Sequence, residues 1–339
     1  MSDDHTRDLL VVGGSAGGFE ALFQLLAGLP SSLPAAVCVV LHTSAEHESR
    51  LAEVLNGAGP LPVTFATDNE VHQRGHVYIA PPDHHLLIAG PKLVLGSGPK
   101  ENRTRPAIDP LFRSAALSHG SRAIGLILSG MQDDGTSGLM AIKRGGGVTI
   151  VQSPSDAPFP DMPANAIKYV VPDHVAAIAD LPALLVRLID QTVQPQTAPL
   201  DDLRIETAVA AGKPGIYDFD KLGKPSFFAC PDCHGVMHEI DEGEFMRFRC
   251  HVGHAHSARD LEFAIDDDLW RALSSALRAL EERATLLQRM AAQAVKTGAR
   301  HSAGQFDIRA KDYMGQAETV RRVIAYIEGQ RSAAEAAPV

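Results

Sequence analysis

Three side chains in the first 140 residues are of the types that acyl transfer needs: a hydroxyl nucleophile, an imidazole base and a carboxylate. Ser15 lies in Gly13-Gly14-Ser15-Ala16-Gly17, a match to G-x-S-x-G. Glycine there permits a sharp turn from strand to helix that lifts the hydroxyl above a sheet edge. The free N–H groups of the following helix then face any developing anion. The same five residues also suit a glycine-rich phosphate turn or a plain tight turn. His42 follows the apolar run 37–41, and Asp134 follows the run 124–128 within Ser129-Gly130-Met131-Gln132-Asp133-Asp134-Gly135. Alone, His42 reads equally as a satisfied structural group, and Asp133 and Asp134 as helix N-terminal carboxylates. Together they are more telling, because each group ends a strand, and the carboxyl ends of parallel strands converge on one crevice.

The elements that must hold these groups are legible as alternation. Runs 9–12, 36–41, 62–66, 77–80, 124–128 and 148–151 read as strands, and 19–26, 46–56, 110–117, 138–144 and 182–188 as helices. Several strands are apolar on both faces, which requires helices on both sides of the sheet. The expected fold is therefore α/β, a doubly wound and mostly parallel sheet over residues 1–190. Runs 86–89 and 93–95 join through Gly90-Pro91 as a local hairpin. Gly145-Gly146-Gly147 ends one helix and begins a strand, so it is turn chemistry.

Residues 191–225 are rich in Gln, Thr, Pro, Asp, Ala and Gly and read as a linker, loosely ordered in part. A compact Cys/His module is expected over 226–257. Cys230-Pro231-Asp232-Cys233 is a C-x₂-C knuckle, sixteen residues intervene before Cys250, and His254 completes C-x₃-H. Thiolate and imidazole ligands at this spacing favour a closed, structural Zn²⁺ site, a zinc ribbon with a hairpin between the knuckles. His234, His251 and His256 compete for the fourth position, and the Val252-Gly253 turn favours His254. The chain then reads as an α-helical hairpin over 258–330. Phe306, Ala310, Tyr313, Ala317, Val320, Ile324 and Ile327 step 4-3-4-3-4-3 along its second helix. A matching stripe over 269–291 precedes Gly298, and self-association through these helices is a second way to bury the stripes.

The chain has 339 residues and a net charge of −10, which disfavours a general nucleic-acid partner. No apolar run approaches the 18 or more residues of a membrane span, so no membrane insertion is expected. The polar start, Met1 to Asp8, lacks a secretory pattern, so the cytoplasm is the expected location. Clustered cysteines then argue for metal rather than disulfides, while Cys38 in Ala36-Val37-Cys38-Val39-Val40 reads as a small buried hydrophobe.

At this point the N-terminal domain resembles the catalytic domain of the CheB-type chemotaxis protein-glutamate methylesterases. The likeness rests on 11–18, on Tyr78-Ile79-Ala80-Pro81-Pro82-Asp83-His84-His85-Leu86, on Asn102-Arg103-Thr104-Arg105-Pro106-Ala107-Ile108-Asp109, on 128–138 and on Met162-Pro163. It covers residues 8–190, a little over half the chain. The resemblance implies a hydrolase that demethylates glutamate methyl esters on receptor signalling helices and can deamidate glutamine there. It implies Ser15 as nucleophile, His42 as base, Asp134 as orienting carboxylate and the Met131 N–H as an oxyanion donor. The order Ser, His, Asp differs from that of the α/β-hydrolases, but a triad is defined by geometry and roles. Ala16 stands where the family often has Thr. Arg103 and Arg105 are candidates to bind an acidic receptor surface or the side chain being cut, or else a solvated loop. His84 and His85 read as structural. The catalytic strand begins near Asp8, so the receiver domain of the better-known members is not expected. The zinc ribbon and helices resemble an appendage of some stand-alone relatives. The rival class is a signalling scaffold that binds a receptor or partner helix with little catalysis. A small-molecule carboxylesterase ranks below both.

Overall fold

The computed structural model describes the backbone of residues 6–42, 50–194, 201–213, 215 and 217–336, and side chains as far as residue 329. In chain order the first half comprises β1 (Leu9–Gly14), α1 (Gly18–Gly28), β2 (Ala36–Leu41), α2 (Leu51–Asn56), β3 (Val63–Phe65), β4 (Val77–Ile79), β5 (His85–Ala89), β6 (Lys92–Gly96), α3 (Ile108–His119), β7 (Ala123–Ile127), α4 (Thr136–Arg144), β8 (Val148–Gln152), α5 (Asp161–Val170), β9 (His174–Ala176) and α6 (Leu181–Ile189). Seven strands form one sheet in the order β3-β4-β2-β1-β7-β8-β9. Every pairing in it is parallel. This is the doubly wound α/β fold that the alternation implied.

Alternation along each strand builds two cores. Leu10, Val12, Val37, Val39, Ile124 and Leu126 face α1 and α6, where Leu22, Leu25, Leu184 and Leu185 meet them. Leu9, Val11, Cys38, Val40 and Ile127 face the other way, toward α3, α4 and α5. Side chains buried to this degree contribute about 1.5–3 kcal/mol each. The strands that carry the site are therefore the most deeply packed, which fixes where their C-terminal ends point. Burial also pushes the Cys38 thiol far above its ordinary range, in keeping with an inert core residue. The hairpin β5–β6 stands as a separate antiparallel pair.

The segment read as a linker is the main departure. Within it, Asp201–Ala210 forms a helix, α7, with Leu203, Glu206, Val209 and Ala210 buried. Residues 195–200 lie outside the described residues, as do 43–49 at the start of the expected helix 46–56. An antiparallel sheet follows, β10 (Lys224–Ala229), β11 (Val236–Glu242), β12 (Phe245–Cys250) and β13 (Ala255–Ser257). The expected hairpin between the two knuckles is β11–β12. This sheet is not separated from the α/β domain. Val209 of α7 packs with Phe219, Leu222 and Ile240. Glu206 receives Arg247 (Nη1–Oε1 2.6 Å) and Arg249 (Nε–Oε1 3.0 Å) from β12, and Glu101 receives Arg249 (2.9 Å) and Arg113. All five residues are buried. Isolated buried charges are very costly, so a network of this kind persists only when each member is paired. One compact unit accordingly runs from Met1 to Leu261, and a second from Glu262 to Val339. The sequence reading placed its boundaries at 190, 225 and 257, and the compact units divide after Leu261.

Helix α8 (Ala258–Lys296) begins in the first unit and continues through the second, which α9 (Arg300–Ala336) completes. Within the second unit the two helices are antiparallel. Arg283 stacks on the Tyr313 ring, Trp270 Nε1 donates to Glu328, and Arg321 pairs with Glu281. Ala310, Ala317 and Ile324 of the expected stripe are buried, and Phe306, Tyr313, Val320 and Ile327 half-buried. Leu269 of the first stripe is exposed instead. Among the described residues, no helix is long and apolar enough to cross a membrane.

Candidate active site

Parallel register brings the first two groups together. Gly14 of β1 is paired with Leu41 of β2, so Ser15 and His42 are the next residues on adjacent strands. The His42 N–H still donates to Gly14 O at 3.1 Å. Ser15 N–H donates to Ser129 O (3.0 Å), tying the serine turn to the loop after β7. Strand order reverses between β1 and β7, since β2 lies to one side and β7 to the other. The crevice at such a switch point is where ligands of open parallel sheets bind. Gly17 sits at φ 69°, and a Cβ there would approach Ser129 Oγ to 2.8 Å. At Gly130 a Cβ would come within 3.1 Å of Ser15 Cβ and 2.7 Å of Met162, so glycine is what lets the loop close on the serine. Among the described residues, Ser15 Oγ has no hydrogen-bond partner, as is common before a substrate tightens such a site.

Asp134 is buried and reaches His42, with Nε2–Oδ2 at 2.9 Å. Its two oxygens also accept Ile108 N–H (2.7 Å), Asp109 N–H (3.3 Å) and Asn102 Nδ2 (3.0 Å). Burial alone would push this carboxyl up, but His42, the Ile108 N–H and Asn102 outweigh it and hold it below the ordinary range. The neighbouring Asp109 goes the other way. Burial and the Asp134 charge push it well above the carboxylate range, although it accepts Gly138 N–H at 2.6 Å. The two neighbouring buried carboxyls are thus shifted in opposite directions, the lowered one beside the imidazole. Nε2 of His42 faces Asp134, and Thr104 Oγ1 lies 3.4 Å from the same nitrogen.

A cleft of about 260 Å³ opens at His42, lined also by Leu51, Phe65, Asp83, Lys100 and Thr104. Arg103 and Arg105 are on its rim, both already engaged. Arg105 bonds Asp83 (Nε–Oδ1 3.0 Å) and the carbonyls of Ser97 and Gly98; Arg103 Nε donates to Asp260 at 2.8 Å. Met131 is largely exposed, and among the described residues the N–H groups of Met131, Ala16 and Gly17 have no acceptor. His85 is buried between Pro99 O and Ala107 N–H, the structural role expected of it.

The comparison with protein families decides what this arrangement belongs to. The model of the CheB methylesterase family matches residues 10–185, just over half the chain. The chain belongs to the CheB methylesterase family. Curated relatives agree. A protein-glutamate methylesterase/protein-glutamine glutaminase of Hydrogenovibrio crunogenus is 36% identical over 188 residues, 54% of this chain and 50% of the relative. A putative enzyme of the same name from Leptospira interrogans is 35% identical over 53% of this chain and 94% of its own length. The crystal structure of the Thermotoga maritima CheB methylesterase catalytic domain superposes with a TM-score of 0.52 at 33% identity, covering 54% of this chain and 98% of that one. The chain spans about half the length of several curated relatives it matches, the first of these included.

The CheB match ends before the Cys/His module, which must be read from its own geometry. Sγ of Cys230, Cys233 and Cys250 and a ring nitrogen of His254 all lie within 4.8 Å of one another. Cys233 and Cys250 sulfurs are 3.6 Å apart, and Cys250 Sγ is 3.5 Å from His254 Nδ1. A tetrahedron with zinc–sulfur bonds of about 2.3 Å puts sulfurs about 3.8 Å apart. The spacing therefore fits four ligands around one Zn²⁺, and the cluster could hold a metal. His256 stands between Asp232 (3.1 Å) and Asp260 (2.6 Å) and groups with Cys230 and Asp232 instead, while His234 and His251 are in neither group. Sequence reasoning missed Asn102, Thr104, Asp109, Glu101, Arg113, Glu206 and Ser257. Asn102 and Asp109 were at hand in the motif 102–109, where only the arginines attracted a reading.

Proposed function

We propose that the chain is a cytoplasmic protein-glutamate methylesterase, and protein-glutamine deamidase, acting through Ser15, His42 and Asp134 on methylated receptor helices. The observation that carries this is the Asp134–His42 pair set beside Ser15 by the β1–β2 register, within a CheB domain. His42, held through Nε2 by Asp134, takes the Ser15 proton on Nδ1 as Oγ attacks the ester carbonyl. The oxyanion is received by the N–H of Met131 with those of Ala16 and Gly17 at the start of α1. The proton passes to the departing methoxide, methanol leaves, and water activated by His42 hydrolyses the acyl-enzyme to glutamate. A glutamine side chain follows the same route with ammonia leaving. Lys100 stands at the cleft beside Arg103 and Arg105, which are paired with Asp260 and Asp83, and in this reading the three meet an acidic helix surface by exchanging those pairs. In this reading Cys230, Cys233, Cys250 and His254 hold a structural Zn²⁺, whose closed ligand set takes no part in the reaction.

The test is methanol release from methylated receptor preparations by the full chain. Ser15→Ala, His42→Ala and Asp134→Ala should each cut turnover by roughly 10³–10⁶, and combining them should add little. Near-normal release by Ser15→Ala would end the reading.

A further inference from the structure

The metal-binding module and the catalytic carboxylate are joined by a short run of buried hydrogen bonds. Three residues after His254 stands Ser257, the last residue of β13. Its N–H donates to Asn102 Oδ1 at 3.1 Å, and Asn102 Nδ2 donates in turn to Asp134 Oδ1 at 3.0 Å and Asp109 Oδ2 at 3.2 Å. Asn102 N–H donates to Ala255 O of the same strand at 2.8 Å. The Ser257 hydroxyl donates to Asp133, the neighbour of Asp134, at 2.8 Å, and accepts Asp260 N–H at 3.0 Å, so it also caps α8. Asn102 and Arg103 both occupy the left-handed backbone region, at φ 47° and 60°. L-residues hold that conformation only when their surroundings impose it. Here the imposition comes from β13 and from Asp260, which receives Arg103 Nε at 2.8 Å. All of these residues belong to the first compact unit.

The Asn102 NH₂ is turned to the two carboxyls and its oxygen to Ser257 N–H, which fixes where the amide sits against Asp134. The carboxylate is thereby offered to His42 through its other oxygen, Oδ2. The turn from Cys250 to His254, with Gly253 N–H on Cys250 O and Cys250 N–H on His254 O, sets where β13 begins.

We propose that the Cys/His knuckle, with zinc bound, is a positioning device for the catalytic carboxylate, acting through β13 and the positioning residues Ser257 and Asn102. The proposal rests on the methylesterase reading above, since it takes Asp134 as the group that orients His42. Zinc fixes Cys250 and His254; β13 fixes the Asn102 amide; the amide fixes Asp134. Loss of metal therefore reaches the active site through orientation, not through chemistry at the metal.

The experiment uses the full chain throughout, with zinc measured by mass spectrometry and active sites counted by an alkyl fluorophosphonate. Methanol release per active site is measured for the zinc-loaded chain, the chelator-treated chain, Asn102→Ala and Ser257→Ala, each across pH. The loaded chain should hold one zinc, and chelation should lower kcat per active site at least about tenfold, restored by returning zinc. Asn102→Ala should do the same with zinc still bound and KM changed much less than kcat. In both, the acid limb of the pH profile should move, because it reads the His42–Asp134 pair; a smaller active fraction would not move it. Should the chelated chain lose its fold, the two variants decide the matter. Unchanged kcat and an unmoved acid limb in Asn102→Ala, with Ser15→Ala inactive, overturns this proposal alone. Turnover retained by Ser15→Ala overturns the reading beneath it.

Discussion

Glu206→Gln is the sharpest probe of how the C-terminal sheet is held to the catalytic domain. Glu206 is buried and takes two bonds from Arg247 (2.6 and 3.0 Å) and one from Arg249 (3.0 Å), with Arg113 Nε at 3.5 Å. Three buried guanidinium groups are balanced by Glu206, Glu101 and the less buried Glu242. Replacing Glu206 by its amide keeps the shape, leaves one positive charge without its partner and turns an NH₂ donor toward guanidinium donors. Breaking a buried pair in this way costs about 3–5 kcal/mol, or roughly 10²–10⁴ in the unfolding equilibrium constant. The pH dependence has a definite sign. Burial would push Glu206 up, but Arg247, Arg113 and Arg249 outweigh it and hold it far below its ordinary 4.5; Glu101 is likewise lowered, against burial, by Arg113 and Arg249. The network therefore stabilises fully above pH 4.5, and that stability is lost as the pH falls below it. Urea unfolding followed by far-UV circular dichroism at pH 7 and at pH 3.5 measures both statements, reading the transition of residues 1–261. A cost below about 1 kcal/mol at pH 7, or an equal cost at the two pH values, would refute the reasoning.

Two further perturbations bear on separate parts of the chain. Burial pushes Asp133 up to about 6; the Ser257 hydroxyl opposes this, while Asp260 and Asp134 add to it. Its folded form keeps a proton that the unfolded chain releases near 3.8, so its stabilising contribution is full below that value and gone once the pH rises through 6. Asp133→Asn should gain on the parent by up to about 3 kcal/mol at pH 8 relative to pH 4, and an equal difference at both in urea titrations would contradict this. In the second unit, Ile324→Asp places a carboxylate in the α8–α9 seam, where Ile324 is buried, and should lower that hairpin's melting temperature by about 5 °C or more. An unchanged melt and oligomeric state would mean that the stripe is not a packed seam.

The parts legible in the sequence were those whose physical cause is local. Apolar runs such as 36–41 announce buried parallel strands, and candidate groups placed just after three of them mark one crevice. The C-x₂-C and C-x₃-H spacings mark a cluster that could hold a metal, because its members are close in sequence. Helix α5 escaped notice because Pro163 looks like a breaker, yet it falls in the first turn, where its missing N–H had no helical partner to lose. Helix α7 was hidden by its own function in the fold. Leu203, Glu206 and Val209 lie on one face, and a glutamate in that stripe reads as a solvated helix until its arginines are known. Arg247 and Arg249 share one face of β12 by period two, and nothing local says that this face is turned inward. The same holds for Asn102: its importance lies in contacts 32 residues away at Asp134 and 155 away at Ser257.

The central claim is that Ser15 is an activated nucleophile, and its most direct measurement is covalent. The full chain should be treated with an alkyl fluorophosphonate, digested, and the modified residue located by mass spectrometry. The account predicts one adduct per chain, on Ser15, formed at a rate that falls by orders of magnitude in His42→Ala and Asp134→Ala. An unlabelled Ser15 in a folded chain, or labelling equally fast without His42, would contradict it.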